Sequence, residues 1–112
     1  TLAVKRMSKS ETIARFVQKG GRLALGTDGG FLLPAGMSLS EMTALMNSGL
    51  SPMDIIVAAT HNSAYVCGVL NRLGTVEPGK SADLLVVNDD PLQNIAVLSQ
   101  TQLVMHQETV IH

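Results

Sequence analysis

The feature that most constrains the fold of this chain is a short apolar run enclosed by glycines. Residues Arg22–Gly26 follow Gly20 and Gly21 and precede the polar stretch Thr27–Gly30. A short apolar run bounded by turn residues is typical of a buried strand. Such strands occur mainly in parallel sheets that are covered by helices. The run therefore predicts an α/β unit, with neighbouring strands on both sides of this one.

Three segments around this strand have the sequence signals of helices. Ser8 and Glu11 have the spacing of a capping box, and Ser38 and Glu41 repeat it. Gly20-Gly21 is predicted to end the first of these helices and Asn47–Gly49 the second, because glycine adopts the left-handed conformation past a helix end. Ser51 begins a third helix as its N-cap, because the next residue is a proline, which suits the first helical position. The predicted apolar face of the third helix consists of Ile55, Ile56, Ala59, Val66 and Leu70.

Short strands replace helices after Leu73. Strands are predicted at Leu84–Val87, Leu103–Met105 and Thr109–Ile111, with a short helical turn over Asp90–Leu98. Neither half of the chain holds enough elements for a core of its own, because a lone hairpin is only marginally stable. The change in pattern predicts a domain boundary, which divides the chain into residues 1–72 and 73–112.

The composition excludes several classes of partner. Hydrophobic residues make up 46% of the 112 residues and charged residues only 15%, against about 25% charged in typical domains. A net charge of −1 and 3% aromatic residues argue against nucleic acid and against a polybasic membrane patch. The chain has neither a run of the about 18 apolar residues that span a bilayer nor a charged leader before an apolar segment. The apolar excess predicts that part of the surface is covered by something else.

The sulfur-containing residues are predicted to be structural. Cys67 is the single cysteine, which excludes an internal disulfide and fits a reducing compartment such as the cytoplasm. A free cysteine packs as a small hydrophobe, so Cys67 is predicted to be buried. The same core-filling role is predicted for Met37, Met42, Met46 and Met53.

Several runs, in one order along the chain, resemble the metal-dependent amidohydrolase superfamily. Leu25–Gly29 (LGTDG) is similar to the motif of that family's last barrel strand, and Glu41–Ala64 is similar to the helix that follows it. Gly74–Leu84 (GTVEPGKSADL), the most specific run, is similar to the return into the family's small β-sandwich. Asp89–Leu92 is similar to the segment after it. The resemblance is strongest to the imidazolonepropionase-like and prolidase-like branch, and it extends from about Lys9 to the end.

The resemblance implies an α/β fold, a (β/α)₈ barrel with a β-sandwich built from both chain ends. Residues 1–72 would supply the last helix–strand–helix part of the barrel, and residues 73–112 the C-terminal strands of the sandwich. The family's His-x-His motif and its other metal ligands have no counterpart in this sequence. The chain is therefore expected to be a C-terminal fragment. It also departs from the family at Gln107-Glu108, where an Asp-Gly or Asn-Gly turn is usual, so this turn is expected to be longer or paired differently.

Asp28 is the one residue to which the resemblance assigns a role, both catalytic and metal-binding. In the family, the aspartate at the end of the last strand contacts the metal, takes a proton from the attacking water and delivers it to the leaving amine. A divalent metal such as Zn²⁺ acidifies water and polarises a carbonyl, and a carboxylate beside it can move protons. From the residues alone, the favoured role of Asp28 is to cap a turn or a helix, because Thr-Asp-Gly-Gly is typical of turns. A zinc site needs about three protein ligands, so the fragment itself is expected to hold no metal.

The other polar residues favour structural roles. His61 has no ligand four positions later and is expected to pack at the surface or to support other groups. His106 and His112 are expected to be solvated, at a strand end and at the terminus. Lys80 and Asp83 are expected to be structural, with their charges in water. The glycine-rich loop lacks the lysine of a phosphate-binding motif.

The sequence leaves three functions open. The first is part of a metal-dependent hydrolase that cleaves a C–N bond in a cyclic amide or a dipeptide, with a small-molecule substrate and no nucleic-acid or membrane partner. The second is a non-catalytic module that associates with itself through apolar faces. The third, weaker one is small-molecule binding in a remnant pocket near Asp28.

Overall fold

A computed structural model describes residues 8–27 and 38–112. Within these residues the chain combines short helices with a small antiparallel sheet. In chain order the elements are α1 (Lys9–Gln18), α2 (Leu39–Asn47), α3 (Pro52–Val57), a π-helical turn (Ala58–Asn62), α4 (Ser63–Val66), β1 (Leu84–Val87), a 3₁₀ helix (Ile95–Ser99), β2 (Thr101–His106) and β3 (Thr109–Val110). No helix in these parts of the chain is long and apolar enough to cross a membrane.

The helices begin where their side-chain caps predict. The Ser8 hydroxyl accepts a hydrogen bond from the Glu11 N–H at 3.2 Å, and the Glu11 carboxylate accepts one from the Ser8 N–H at 2.8 Å. Ser51 and Asp54 form the same reciprocal box at 3.1 and 2.8 Å. At α2 one of the two bonds of the box is present: the Ser38 hydroxyl accepts from the Glu41 N–H. These contacts satisfy N–H groups that have no partner inside a helix, so each start is determined locally.

The helices end at glycines in a common motif. After α1, the Gly21 N–H donates to Phe16 O and the Gly20 N–H donates to Val17 O, both at 2.9 Å. Gly20 has a φ of 83°. This is the Schellman arrangement, which needs a left-handed residue just past the helix. Gly49 ends α2 and Gly68 ends α4 with the same pair of bonds. The ends of α1 and α2 agree with the prediction, whereas the third helix, whose predicted apolar face ran on to Leu70, ends before Gly68.

One apolar cluster joins the helices. Met42, Leu50 and Ile55, from α2 to α3, are almost fully buried together with Ile95 of the 3₁₀ helix. Leu23 and residues of α1 pack on the rim of this cluster. Ile95 follows the predicted domain boundary and the other members precede it, so both sides contribute to one core. The boundary itself stays a prediction.

Residues 22–27 do not form the predicted buried strand. They form neither a helix nor a strand ladder, and burial alternates along them as in an extended chain: Leu23 and Leu25 are half-buried against the core, whereas Arg22 and Ala24 are exposed. Within the described residues this segment has no ladder partner, and a strand requires a paired neighbour. The alternating apolar face is consistent with the predicted run, and its pairing with strands of a longer barrel stays a prediction.

The third helix differs from the prediction in its buried face. The chain stays helical from Pro52 to Val66, but a wide turn interrupts the regular spacing at Ala58–Asn62. Ala58 and Ala64 are buried, while Ala59 and Val66, which the α-helical period placed on the core face, are exposed. Leu25 binds the carbonyl of Ala58, and the chain at Gly74 lies against Ala64.

The sulfur-containing residues are less buried than predicted. Cys67 was expected in the core but is exposed, because it is the C-cap of α4, where the chain turns away from the helix. Met42 is 1% exposed and fills the core as predicted. Met46 and Met53 are 38% and 50% exposed, so they do not. Met37 lies outside the described residues.

The three strands form one antiparallel sheet in the order β1–β2–β3. Leu84 pairs with Met105, which in turn pairs with Val110 of β3. The three predicted strands are thus confirmed, although β3 ends at Val110. Gln107 and Glu108 make a tight two-residue turn with φ of 48° and 67°. The expectation of a longer turn was wrong, and a non-glycine left-handed pair closes the hairpin.

Candidate active site and its support

The extended segment before Asp28 is bound to the helix that follows α2. Asp28 itself lies outside the described residues, so its catalytic and metal-binding roles stay predictions. The Leu25 N–H donates to Ala58 O at 3.2 Å, and the Asn62 side-chain amide donates to Leu23 O at 2.8 Å. Both bonds connect residues more than 30 positions apart in the chain. They hold the segment at two points, the nearer of them three residues before Asp28.

The wide helical turn provides both of these contacts. Ala58 begins it and Asn62 ends it. Ala58 O also accepts a hydrogen bond from the Ser63 hydroxyl at 2.7 Å. A carbonyl oxygen has two lone pairs, so Ala58 O can serve the Ser63 hydroxyl and the Leu25 N–H together. Single π turns inside α-helices are rare and are frequent at functional sites.

His61 contacts Asn62 and borders an open cleft. Its Nδ1 lies 3.0 Å from Asn62 Oδ1. The Asn62 amide nitrogen faces Leu23 O, which can only accept, so Asn62 Oδ1 must accept from His61. His61 therefore carries its proton on Nδ1 and is half-buried. The predicted supporting role for His61 agrees with this contact.

The cleft has a volume of about 1070 Å³ and a mainly apolar lining. It extends from Arg22 and Leu23 along the helical turn to Thr75 and Asp83. Its polar lining includes His61, Asn62 and Ser63. The Arg22 guanidinium lies 5.4 Å from the ring centre of Tyr65, a distance at which a cation is attracted to an aromatic face.

Metal ligands do not converge in the part of the chain that the structure describes. No three histidine, cysteine, aspartate or glutamate side chains among residues 8–27 and 38–112 could hold one ion. His106 is an ion-pair partner of Asp83 at 3.3 Å, and His112 is exposed. These residues do not fit a catalytic metal by themselves.

Lys80 makes structural contacts, as predicted, but its charge is not left in water. Its ammonium donates to Leu70 O and Thr75 Oγ1, each at 2.6 Å, and lies 3.0 Å from Glu77 Oε2. The side chain is only 15% exposed, so the expectation that its charge stays in water was wrong. The Thr75 hydroxyl, followed by the Lys80 ammonium, lowers the pKa of Glu77. The contact with Leu70 O depends on the path of the chain between residues 70 and 80, which the sequence does not show.

Asp83 holds the turn between β2 and β3. Its carboxylate accepts from the Gln107 N–H at 2.8 Å, and the Glu108 N–H donates to Ala82 O at 3.3 Å. The Gln107 N–H bond, together with His106 nearby, lowers the pKa of Asp83. The structural role predicted for Asp83 is consistent with these contacts.

The family of the chain follows from comparison with known proteins. The model of the amidohydrolase family matches residues 5–110. The chain belongs to this family. The imidazolonepropionase of Geobacillus kaustophilus (strain HTA426) is 34% identical over 107 residues, which are 94% of this chain and 24% of that protein.

Solved structures agree on both family and fold. The crystal structure of a Xaa-Pro dipeptidase with methionine bound in its active site is 30% identical, with a TM-score of 0.82 over 92% of this chain and 25% of that one. An amidohydrolase from Thermotoga maritima MSB8 is 27% identical, with a TM-score of 0.76 over 92% of this chain and 26% of that one. The resemblance to the imidazolonepropionase-like and prolidase-like branch is thus confirmed. The chain spans about a quarter of the length of these relatives.

Proposed function

We propose that this chain is the C-terminal part of a metal-dependent amidohydrolase that hydrolyses a C–N bond in a cyclic amide or a dipeptide. The observation that carries the proposal is the family match over residues 5–110. Relatives named imidazolonepropionase and Xaa-Pro dipeptidase support this range of substrates. On this proposal residues 1–72 complete a (β/α)₈ barrel and residues 73–112 belong to a small β-sandwich. The lone thiol fits the cytoplasm as its compartment.

Asp28 is the catalytic residue in this proposal. It follows residues 22–27, which this proposal assigns to the last barrel strand and which are hydrogen-bonded to a helix. Active sites of such barrels lie at the C-terminal ends of their strands. Its carboxylate would contact the metal and would also carry a proton between the attacking water and the leaving amine. A carboxylate suits this exchange because it can accept and return a proton without leaving its place.

The metal in this proposal is Zn²⁺ or another divalent ion, which would polarise the scissile carbonyl and acidify water. The described residues supply no ligand cluster for it. The remaining ligands would therefore come from residues of a longer protein. Metal analysis of the 112-residue chain after dialysis should show well under one equivalent, and one tightly held Zn²⁺ per chain would contradict this assignment.

The proposal is tested by Asp28→Asn in the enzyme that carries this sequence. Asparagine keeps the size of the side chain but cannot act as a base, so kcat should fall at least about a hundredfold, the lower range for general acid–base catalysis. The matched control is Asp89→Asn, because Asp89 is exposed and an asparagine oxygen can still accept from the Asp90 N–H. Retention of most of the activity in Asp28→Asn, with unfolding unchanged in both variants, would refute the role of Asp28.

A second candidate function is a non-catalytic module that associates with itself. Large apolar side chains are exposed, notably Val76 at 87%, Val66 at 71% and Ile111 at 63%. Residues 22–26 also have no ladder partner among the described residues, and an open strand edge can template pairing with another chain. Sedimentation equilibrium over a hundredfold dilution tests this function. A concentration-independent monomer would exclude it.

A further inference from the structure

A side chain of the wide turn contributes to the support of the segment before Asp28. Two hydrogen bonds join residues 22–26 to the helix: one is between backbone groups of Leu25 and Ala58, and the other comes from the Asn62 amide. Leu23 O, which Asn62 contacts, belongs to a run that has no ladder partner among residues 8–27 and 38–112. Asn62 thus supplies a side-chain donor to a backbone carbonyl of this run.

The amide of Asn62 is held in one orientation. Its oxygen accepts from His61 Nδ1 at 3.0 Å, and its nitrogen donates to Leu23 O at 2.8 Å. Rotating the amide by half a turn would place its oxygen against Leu23 O and its NH₂ against the Nδ1–H of His61, so both bonds would be lost. His61 donates from Nδ1 whether neutral or protonated, so a change in its charge does not release Asn62.

The helical turn that carries Asn62 is itself fixed from its other side. A Cβ at Gly74 would come within 2.6 Å of Ala64 Cβ and 3.2 Å of Thr60 O. The return segment therefore packs directly against the turn at Gly74. Asn62 thus belongs to a turn that contacts both residues 23–25 and the chain at Gly74.

We propose that Asn62 is a positioning residue for Asp28: by holding Leu23 O from the wide turn, it fixes the path of the segment that delivers Asp28 to the site. This inference rests on the proposed function of Asp28. Asn62 touches neither substrate nor metal in this proposal. It acts through residues 23–27, and its loss should leave the core of α2, α3 and the 3₁₀ helix intact.

The first test measures hydrogen exchange by NMR in the 112-residue chain. The reporter is the Leu25 N–H, which donates to Ala58 O, and the reference is the Ile55 N–H, which donates to Ser51 O inside the helix. Asn62→Ala removes the amide. Asn62→Asp keeps its size but places a carboxylate against Leu23 O, so it separates the loss of a donor from the loss of volume. Asn71→Ala is the control, because Asn71 is an exposed asparagine shortly after the same helix.

Both Asn62 variants should lower the protection of Leu25 about tenfold, the equivalent of one hydrogen bond. The Ile55 amide should change by less than about twofold, and Asn71→Ala should change neither. Three results would overturn the inference: no protection of Leu25 in the parent chain, unchanged protection in both Asn62 variants, or an equal loss in Asn71→Ala.

The second test uses the enzyme that carries this sequence. Asn62→Ala should lower kcat about tenfold and leave KM within about twofold, because a misplaced proton carrier slows the chemistry without removing a substrate contact. Unchanged kcat, or a rise in KM alone, would overturn the positioning role. Failure of the proposed function is recognised separately, because it appears as retained activity in Asp28→Asn, whatever the exchange of Leu25 shows.

Discussion

The helical region and the sheet are stabilised in different ways. The helical region contains side chains removed almost completely from water, with Ile55 at 0% and Met42 at 1% exposure. Strands β1, β2 and β3 contain no fully buried residue. The sheet is instead held by its backbone ladder and by Asp83 at its turn. One region thus depends on hydrophobic burial, and the other depends on hydrogen bonds with both faces still open to solvent or to a partner.

The largest effect should come from removing a core side chain. Ile55→Ala is expected to lower the free energy of unfolding by about 2–5 kcal/mol, because it loses buried surface and leaves a cavity. Leu85→Ala in β1 should cost less than about 1.5 kcal/mol, the lower limit for a fully buried leucine, since Leu85 is 39% exposed. Urea unfolding at neutral pH measures both. Equal losses would show that the sheet has a core like that of the helices.

A smaller gain is expected at the turn of the sheet. Glu108 has φ of 67°, a conformation that costs a side-chain-bearing residue roughly 1 kcal/mol and that glycine adopts freely. Glu108→Gly should therefore raise the free energy of unfolding by about 1 kcal/mol. Thr109→Gly, which puts the same residue one position later in β3, should lower it. If both substitutions destabilise the chain, the left-handed turn is not a source of strain.

The smallest effect should be a pH dependence confined to the sheet. The Gln107 N–H lowers the pKa of Asp83 in the folded chain. The contribution of the Asp83 carboxylate to the free energy of unfolding is therefore fully present above the pKa of an unfolded aspartate, about 3.9. This contribution is lost as pH falls through the lower pKa of the folded state. His106 faces the same carboxylate and adds attraction when it is protonated.

Hydrogen exchange of the Gln107 amide between pH 6 and pH 2 measures this loss. After correction for the intrinsic rate, its protection should fall below about pH 4, near the unfolded value, while the Ile55 amide in the helical region stays protected to lower pH. Asp83→Asn should abolish the pH dependence, because asparagine accepts the same bond without titrating. Equal loss at both amides would mean that the two regions unfold together.

What could be predicted from the sequence is what neighbouring residues determine. The box of Ser8 with Glu11 and the glycine at position 20 act within one helical turn, so the ends of α1 were predicted correctly. The strand at Leu84–Val87 was predicted because its apolar run is short and bounded by turns. The family could be recognised because Gly74–Leu84 is a specific run, and the match over residues 5–110 confirms it.

The rest depended on contacts that sequence spacing does not encode. Ala59 and Val66 fitted an α-helical face, but a turn of different width interrupts that helix. Residues 22–27 looked like a strand, but whether an extended run is paired depends on distant partners. Asn62, whose side chain donates to Leu23 O, belongs to no sequence motif that predicts such a contact. The available signal was the pair Asn62-Ser63, two polar residues near the apolar face of the third helix.

The three acceptors around Lys80 have a chemical consequence. Its nitrogen is surrounded by Leu70 O, Thr75 Oγ1 and Glu77 Oε2, and its side chain is 15% exposed, whereas Lys9 and Lys19 are exposed. An acylating reagent must approach the amine from an open side, so it should label Lys9 and Lys19 well before Lys80. Peptide mapping after brief acetylation would then give a footprint of the junction between the helices and the sheet, and labelling of Lys80 would mark the moment at which that junction opens.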